Sequence, residues 1–370
     1  MKKRVWMRAL WALAGIALAC VVAVGCYVGY VALNYERIAD GVELACENPQ
    51  AAALVPGAHY TAVTYNIGFG AYGPDYSFFM DTGVMKDGKA VRGRYGKAMS
   101  AEAVTSHTRG AGEVIAALNP DFVLLQEVDL DADRSYHVDQ WKALREMLPG
   151  YGGVFAVNFD TPYLAYPFHD PHGATRAGLG VLSRYQIALS VRRSYPISDA
   201  FPGKFFDLDR CFTVSRLPVE GGGELVLINS HMSAYDAGGV YRERQLAMLA
   251  QVMAEEAAKG NYVVAGGDFN HALGAEVAEA FASKQAFPGW VYVLDQNDLP
   301  AGIRIQKAGN QLEVPTCRSA DIPYEKGVNF VTVVDGFLVS DNVEATAENI
   351  DTDFAYSDHN PVLLRFTLKI

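Results

Sequence analysis

Five short segments place carboxylates, amides and imidazoles at the ends of apolar, strand-like runs. They are Thr64-Tyr65-Asn66, Leu125-Gln126-Glu127-Val128, Asn229-Ser230-His231, Gly267-Asp268-Phe269-Asn270 and Ser357-Asp358-His359-Asn360. Oxygen donors of this kind hold hard divalent cations, and imidazoles exchange protons near neutral pH. Together they could hydrolyse a phosphoester. Glu127 follows a run that reads as buried, so its carboxylate should emerge at the strand end, where a cation would stabilise its charge. Asn66 offers a neutral amide oxygen as a companion ligand. Asp268 and Asn270 are two apart and, on a continuing strand, point to the same side, one to activate water and the other to grip a phosphate oxygen. Asp358 and His359 join a carboxylate to an imidazole. His231 supplies a second imidazole, suited to an oxyanion or a leaving group. Each residue also has a structural reading: a packed histidine, a capping aspartate, an Asx turn, a surface glutamate. Their common place at strand ends favours a single site.

The elements that must carry these residues alternate along the chain. Runs of β-branched and aromatic residues predict strands at 61–65, 122–125, 262–265, 330–339 and 362–368. The runs 211–217 and 224–229 flank Gly221-Gly222-Gly223 and predict a hairpin. Helical periodicity covers 100–118, stopped by Asn119-Pro120, and 241–259, stopped by Gly260. Two aromatic-rich stretches, 71–97 and 159–176, lack regular patterning and are expected as loops over the substrate. Arg92, Arg94, Lys97 and Arg176 within them could line a basic groove for nucleic acid.

A formal charge of −11, from 42 acidic against 31 basic residues, gives extended polyanion binding little electrostatic support. Lys2, Lys3, Arg4 and Arg8 precede an uncharged run, 9–33, long enough to cross a bilayer as one helix. That length favours an uncleaved signal anchor over a removed signal or a lipoprotein site at Ala23-Val24-Gly25-Cys26. The basic flank places everything after Asn34 outside the cytosol, so the expectation is a single-pass protein of the cell membrane. Residues 35–59, interrupted by Pro49 and Pro56, read as a linker to a domain at 60–370. Cys46, Cys211 and Cys317 show no metal-binding spacing and are expected as isolated thiols.

Thr64-Tyr65-Asn66-Ile67, Leu125-Gln126-Glu127-Val128, Asn229-Ser230-His231-Met232, Gly267-Asp268-Phe269-Asn270, Val334-Asp335-Gly336-Phe337 and Ser357-Asp358-His359-Asn360-Pro361 resemble, in order, the motifs of the endonuclease/exonuclease/phosphatase superfamily. This group includes DNase I-like nucleases, neutral sphingomyelinases and inositol polyphosphate 5-phosphatases. The resemblance covers roughly residues 60–370 and implies an α+β fold, a four-layer αββα sandwich of two packed sheets flanked by helices. It further implies Mg²⁺-dependent phosphoester hydrolysis, with Mn²⁺ as a substitute, by in-line attack of water. Glu127 would be the main metal ligand, with Asn66 and Asp358 beside it. Asp268 would activate water and Asn270 bind the phosphate. His359, oriented by Asp335, would contact the scissile phosphate, and His231 would assist on the leaving-group side. A further family residue between the Glu127 and His231 motifs stays unassigned among Tyr151, Tyr163, Tyr166 and Arg176. The expected substrate is a lipid head group or small phosphodiester, with a DNase I-like nuclease acting on nucleic acid as the alternative. A catalytically dead binding module is disfavoured because no motif residue is missing, and no protein partner is expected.

Overall fold

The computed structural model describes residues 2–201, 203–234, 236 and 238–370. Helix α1 (Lys2–Asn34) is solvent-exposed along most of its length, and its segment Arg4–Asn34 is long and apolar enough to cross a membrane, a property shared by signal sequences.

Thirteen strands matter to the site. They are β1 (Val42–Glu43), β2 (His59–Asn66), β3 (Phe122–Ala132), β4 (Gly152–Leu164), β5 (Gly173–Ser183), β6 (Leu189–Ser194), β7 (Cys211–Pro218), β8 (Glu224–His231), β9 (Tyr262–Asp268), β10 (Ile303–Gln306), β11 (Asp335–Ser340), β12 (Val343–Asn349) and β13 (Val362–Leu368). One sheet runs β12-β13-β2-β3-β5-β4 and the other β1-β6-β7-β8-β9-β11-β10. The sheets pack face to face. Ala62, Phe122, Leu124, Leu225, Leu227 and Val264 fill the space between them. Their sequence neighbours point outward under helices: Val63 and Val123 beneath α2 (Ala101–Leu118) and α3 (Gln140–Met147), Val226 and Val263 beneath α4 (Val240–Ala258). Strands covered on both faces read as continuous apolar runs, which is why the period-two signal is weak in this sequence. The result is the four-layer αββα architecture.

Within the two large sheets, among the described residues, the parallel strand pairs are β2 with β3 and β8 with β9. Each pair is linked by a crossover helix, α2 or α4, as parallel neighbours require. The carboxyl ends of β2, β8 and β9 carry Asn66, His231 and Asp268 to one rim, and Glu127, expected at the end of its strand, reaches it from a bulge midway along β3. Antiparallel β11 starts at that rim, with Asp335 opposite Asp268. The turn before β13, which is antiparallel to β2, delivers Asp358 and His359 to the same place.

Four expectations need correction. Residues 159–176 are not a loop: β4 and β5 extend through most of them, with Phe159, Thr161 and Leu164 buried along β4 and an irregularity between Thr161 and Leu164. The run 330–339 is broken into Val331–Thr332 and β11 by the two non-strand residues Val333 and Val334, and β11 opens on Asp335 at the rim. Asp268 and Asn270 do not share a continuing strand, since β9 ends at Asp268 and Asn270 is left-handed (φ 49°). Residues 35–59 do not hang free: β1 pairs with β6, and Leu54 is wholly buried in the core between the sheets. A soluble fragment starting at Tyr60 would therefore lose part of the core. None of the five cysteines forms a disulfide; Cys211 and Cys317 are buried thiols.

Candidate active site

The strand ends open into a cavity of about 840 Å³. Glu127 enters it from a β-bulge between Leu125 and Val128, with a left-handed backbone (φ 53°). A bulge turns a side chain out of strand alternation, and strain of this kind in a non-glycine residue persists where the surroundings enforce it. Glu127 keeps 23% side-chain exposure to the cavity. Burial, and then the charge of Asp358, push its carboxyl up to about 7. Asp358 is itself raised by burial, against the opposing charges of His359 and Arg318.

Asn66 ties the two sheets together at the floor. Its Nδ2 donates to Asp268 Oδ2 (3.0 Å) and Glu127 Oε1 (3.3 Å), while its Oδ1 accepts from the Gly68 amide (3.0 Å). In this orientation Asn66 presents N–H groups to the site, and holding a cation through oxygen requires the amide to turn over. Gly68 (φ 53°) is confined by contact: a Cβ there would stand 2.7 Å from Tyr72 and 3.1 Å from Asp358 Oδ1. Below the floor, Gln126 Nε2 donates to Asn229 Oδ1 (2.6 Å), and Asn229 Nδ2 donates to the carbonyls of Leu125 and Gly180. These buried amides lock the register of the parallel pairs against each other.

Asp268 Oδ2 lies 3.6 Å from His231 Nε2 and 3.7 Å from His359 Nε2. Its Oδ1 accepts from the Asn270 amide (2.9 Å), an Asx turn that holds Asn270 against the cavity with Nδ2 on the Met232 carbonyl (2.9 Å). The two histidines have opposite environments. Burial disfavours charge on His359, but Asp335, whose Oδ2 is 2.8 Å from Nδ1, overrides it together with Asp268 and holds His359 well above the ordinary histidine value. Burial and the Arg210 guanidinium hold His231 well below it. Arg210 Nη1 donates to His231 Nε2 (2.8 Å), so the neutral ring carries its proton on Nδ1. That Nδ1, and Asp335 Oδ1, are buried without a hydrogen-bond partner among the described residues.

The eight expected residues thus meet at one rim. Two arginines at the same place were not singled out from sequence. Arg210 precedes β7 and also donates to the Met232 carbonyl. Arg134 forms a paired contact with Asp129 (2.8 and 3.1 Å), stacks 3.9 Å above the Phe69 ring and lines the cavity. Of Arg92, Arg94, Lys97 and Arg176, only Arg92 lines the cavity, and Arg176 faces Asp160 at 3.8 Å. The stretch 71–97 does form one wall, through Tyr72, Phe78 and Met80.

Residues 63–359 match the model of the Endonuclease/Exonuclease/phosphatase family. The chain belongs to that family. No curated protein matches it significantly. Many solved structures share its fold, among them the following three. An endonuclease/exonuclease/phosphatase from Beutenbergia cavernae DSM 12333 has a TM-score of 0.55 and 19% identity over 84% of this chain and 72% of that one. D. rerio TDP2 complexed with single strand DNA product has a TM-score of 0.52 and 16% identity, covering 84% of this chain and 99% of that one. ANGEL2, a 2',3'-cyclic phosphatase, has a TM-score of 0.53 and 15% identity, covering 89% and 99%. At such identities the likeness is one of fold. Family members are phosphoester hydrolases that typically use divalent metal ions, and the buried group Asp268, Asp335 and His359 could also bind a metal.

His172 supports Arg134 from behind, with Nδ1 on the Gly96 carbonyl (2.9 Å) and Nε2 3.4 Å from the guanidinium. Burial and Arg134 lower its pKa to about 3. The unfolded chain therefore binds a proton that the folded chain refuses, and this contribution to stability is lost as pH falls from about 6.5 towards 3. Melting temperature should fall across that window, and His172→Asn should flatten part of the slope. An unchanged slope would show that His172 titrates alike in both states.

Proposed function

We propose that the chain is a divalent-metal-dependent phosphoester hydrolase, held at a membrane by α1 and acting outside the cytosol on a lipid head group or another small phosphoester. One observation supports this reading above the rest: carboxylates, a neutral histidine and a cationic histidine converge on Asp268 beneath two buried guanidiniums.

The donor set suits a hard cation. Asp358 raises the pKa of Glu127, as neighbouring carboxylates do, and all candidate donors of the Asn66, Glu127 and Asp358 group are oxygens. A bound Mg²⁺ or Mn²⁺ would supply charge neutralisation to the phosphoryl oxygens. The Asp268, Asp335 and His359 group fits cation binding less well, because His359 Nδ1 already faces Asp335. Asp268 is the carboxylate to orient the attacking water. Asn270 has a second Nδ2 hydrogen for a phosphate oxygen. Arg134 and Arg210 place positive charge where a phosphate would sit. His359, fixed through Nδ1 by Asp335, turns Nε2 towards Asp268 and can donate a proton there.

The test is a substrate panel with the full-length protein in detergent: plasmid DNA, sphingomyelin, phosphoinositides and a bis-aryl phosphodiester. EDTA should abolish hydrolysis, Mg²⁺ or Mn²⁺ restore it, and lipid or small diesters should exceed DNA. A preference for DNA with steep salt dependence would establish the nuclease reading instead.

Topology is tested separately. Protease added to intact cells should digest the domain beyond Asn34. Full protection until lysis would place the domain inside, and release into the medium would mean that the N-terminal segment is cleaved.

A further inference from the structure

The tip of the β4–β5 hairpin touches α1 near its carboxyl end. Tyr27 Oη donates to the Tyr163 carbonyl (3.2 Å) and accepts from the Ala165 amide (2.8 Å), and Tyr30 Oη accepts from the Tyr163 amide (3.4 Å). Residues 9–26 of α1, at 1.5 Å per residue, already span about 27 Å, close to a hydrocarbon core of about 30 Å. Tyr27 and Tyr30 then lie at the level where bilayer gives way to water, a level favoured by amphipathic rings. The hairpin tip lies there with them. It exposes aromatic surface, with Phe168 84% accessible. Phe201 is also exposed; it packs on Phe205 and through it on Tyr35, directly after α1.

Behind this tip is a second cavity of about 430 Å³, within the size range of ligand pockets. Phe79, Phe159, Leu164 and Phe206 make most of its wall apolar, beside the polar His172, Ser198 and Asp207. Phe78, Met80, Leu208, Arg134 and Arg210 border both this cavity and the catalytic one, so the two adjoin. The adjoining pair is amphiphilic, with guanidiniums and the two histidines around the first cavity and mainly hydrocarbon walls in the second, on the side of the hairpin tip. A small soluble phosphoester would fill only the first cavity. A nucleotide would set polar sugar against Phe159 and Leu164, which burial disfavours.

We propose that the second cavity receives an alkyl chain of a lipid phosphoester drawn from the bilayer beside α1, while its phosphate lies between Arg134, Arg210 and His359. This rests on the phosphoester hydrolase reading of the site and names its substrate class. The chain supplies binding energy through buried methylenes, and the guanidiniums set the depth at which the phosphate stops.

Full-length protein in nanodiscs is given the methyl, octyl and dodecyl esters of para-nitrophenyl phosphate. From methyl to dodecyl, kcat/KM should rise on the order of tenfold or more. Partitioning into the nanodisc also produces a rise, so Leu164→Trp and Leu208→Trp, each checked by thermal melt, carry the decision. Filling the cavity should cut the dodecyl-to-methyl ratio roughly fivefold or more. A flat wild-type series, or a rise unchanged in a folded variant, would overturn the chain site. If no ester is hydrolysed, the hydrolase reading fails, and the chain site is then judged by photo-crosslinking. The same measurement decides if neither variant folds. The probe is dodecyl phosphate with a terminal diazirine. Insertion at 159–166 or 206–208 supports the site, and insertion confined to α1 overturns it.

Discussion

Glu127→Gln should reduce turnover on the order of 10³-fold while the protein melts at or above the wild-type temperature. The two effects have one cause. Burial and Asp358 hold the Glu127 carboxyl up at about 7, so its ionised form opposes folding in the metal-free protein. The sign follows from proton binding: the folded chain keeps this proton over the window from 4.5 to about 7 in which the unfolded chain has released it. Stability from this group is therefore lost as pH rises through that window, and a neutral amide of the same shape removes the loss. The amide also removes the charge that a divalent cation needs, and several kcal/mol of transition-state stabilisation correspond to about 10³-fold in rate. The checks are kcat with saturating Mg²⁺ and melts with and without the metal. Mg²⁺ should raise the wild-type melting temperature and leave the variant nearly unmoved. Full activity in Glu127→Gln would remove the residue from the mechanism. A large fall in its metal-free melting temperature would mean that the bulge depends on the charge.

Some of this site was legible because it obeys a local rule. Asn66, His231 and Asp268 each terminate an apolar run, and a run that ends in a polar residue marks a strand reaching a rim. Other parts depend on contacts that no spacing encodes. Arg134 sits in a one-turn 3₁₀ helix, and its role follows from Asp129, Phe69 and the cavity, all brought to it by the fold. Arg210 lies outside any regular element until β7 begins beside it. The left-handed conformation of Glu127 comes from a bulge against β5, a property of pairing rather than of the residues Gln126 and Val128. The hairpin at 159–176 escaped because its outward positions are aromatic as well as polar, so apolar and polar residues do not alternate cleanly. Tyr163 and Phe168 are exposed, as expected of a surface that meets something other than water. The edge strand β1 has two residues, too short for any periodic signal.

His359→Ala is expected to lose turnover on the order of 10²-fold or more, and His231→Ala to lose less, with both proteins folded. The resemblance alone puts His231 on the leaving-group side, but the geometry gives His231 no proton to deliver from Nε2, which accepts from Arg210. His359 is the imidazole held charged, with Asp335 on Nδ1 and Nε2 turned to the site. We therefore propose that His359 delivers the proton of the reaction and that His231 acts by holding Arg210 in place. Three readouts separate this from packing. Turnover in the wild type should persist into alkaline solution and fall above the raised His359 pKa. Asp335→Asn should move that fall to lower pH, since the carboxylate that raises it is gone. On a para-nitrophenyl ester, whose leaving group needs little protonation, His359→Ala should recover part of its loss and His231→Ala should not. A lowered melting temperature with near-normal turnover at His359 would make it a structural histidine, and recovery of His231→Ala alone would return the proton to His231.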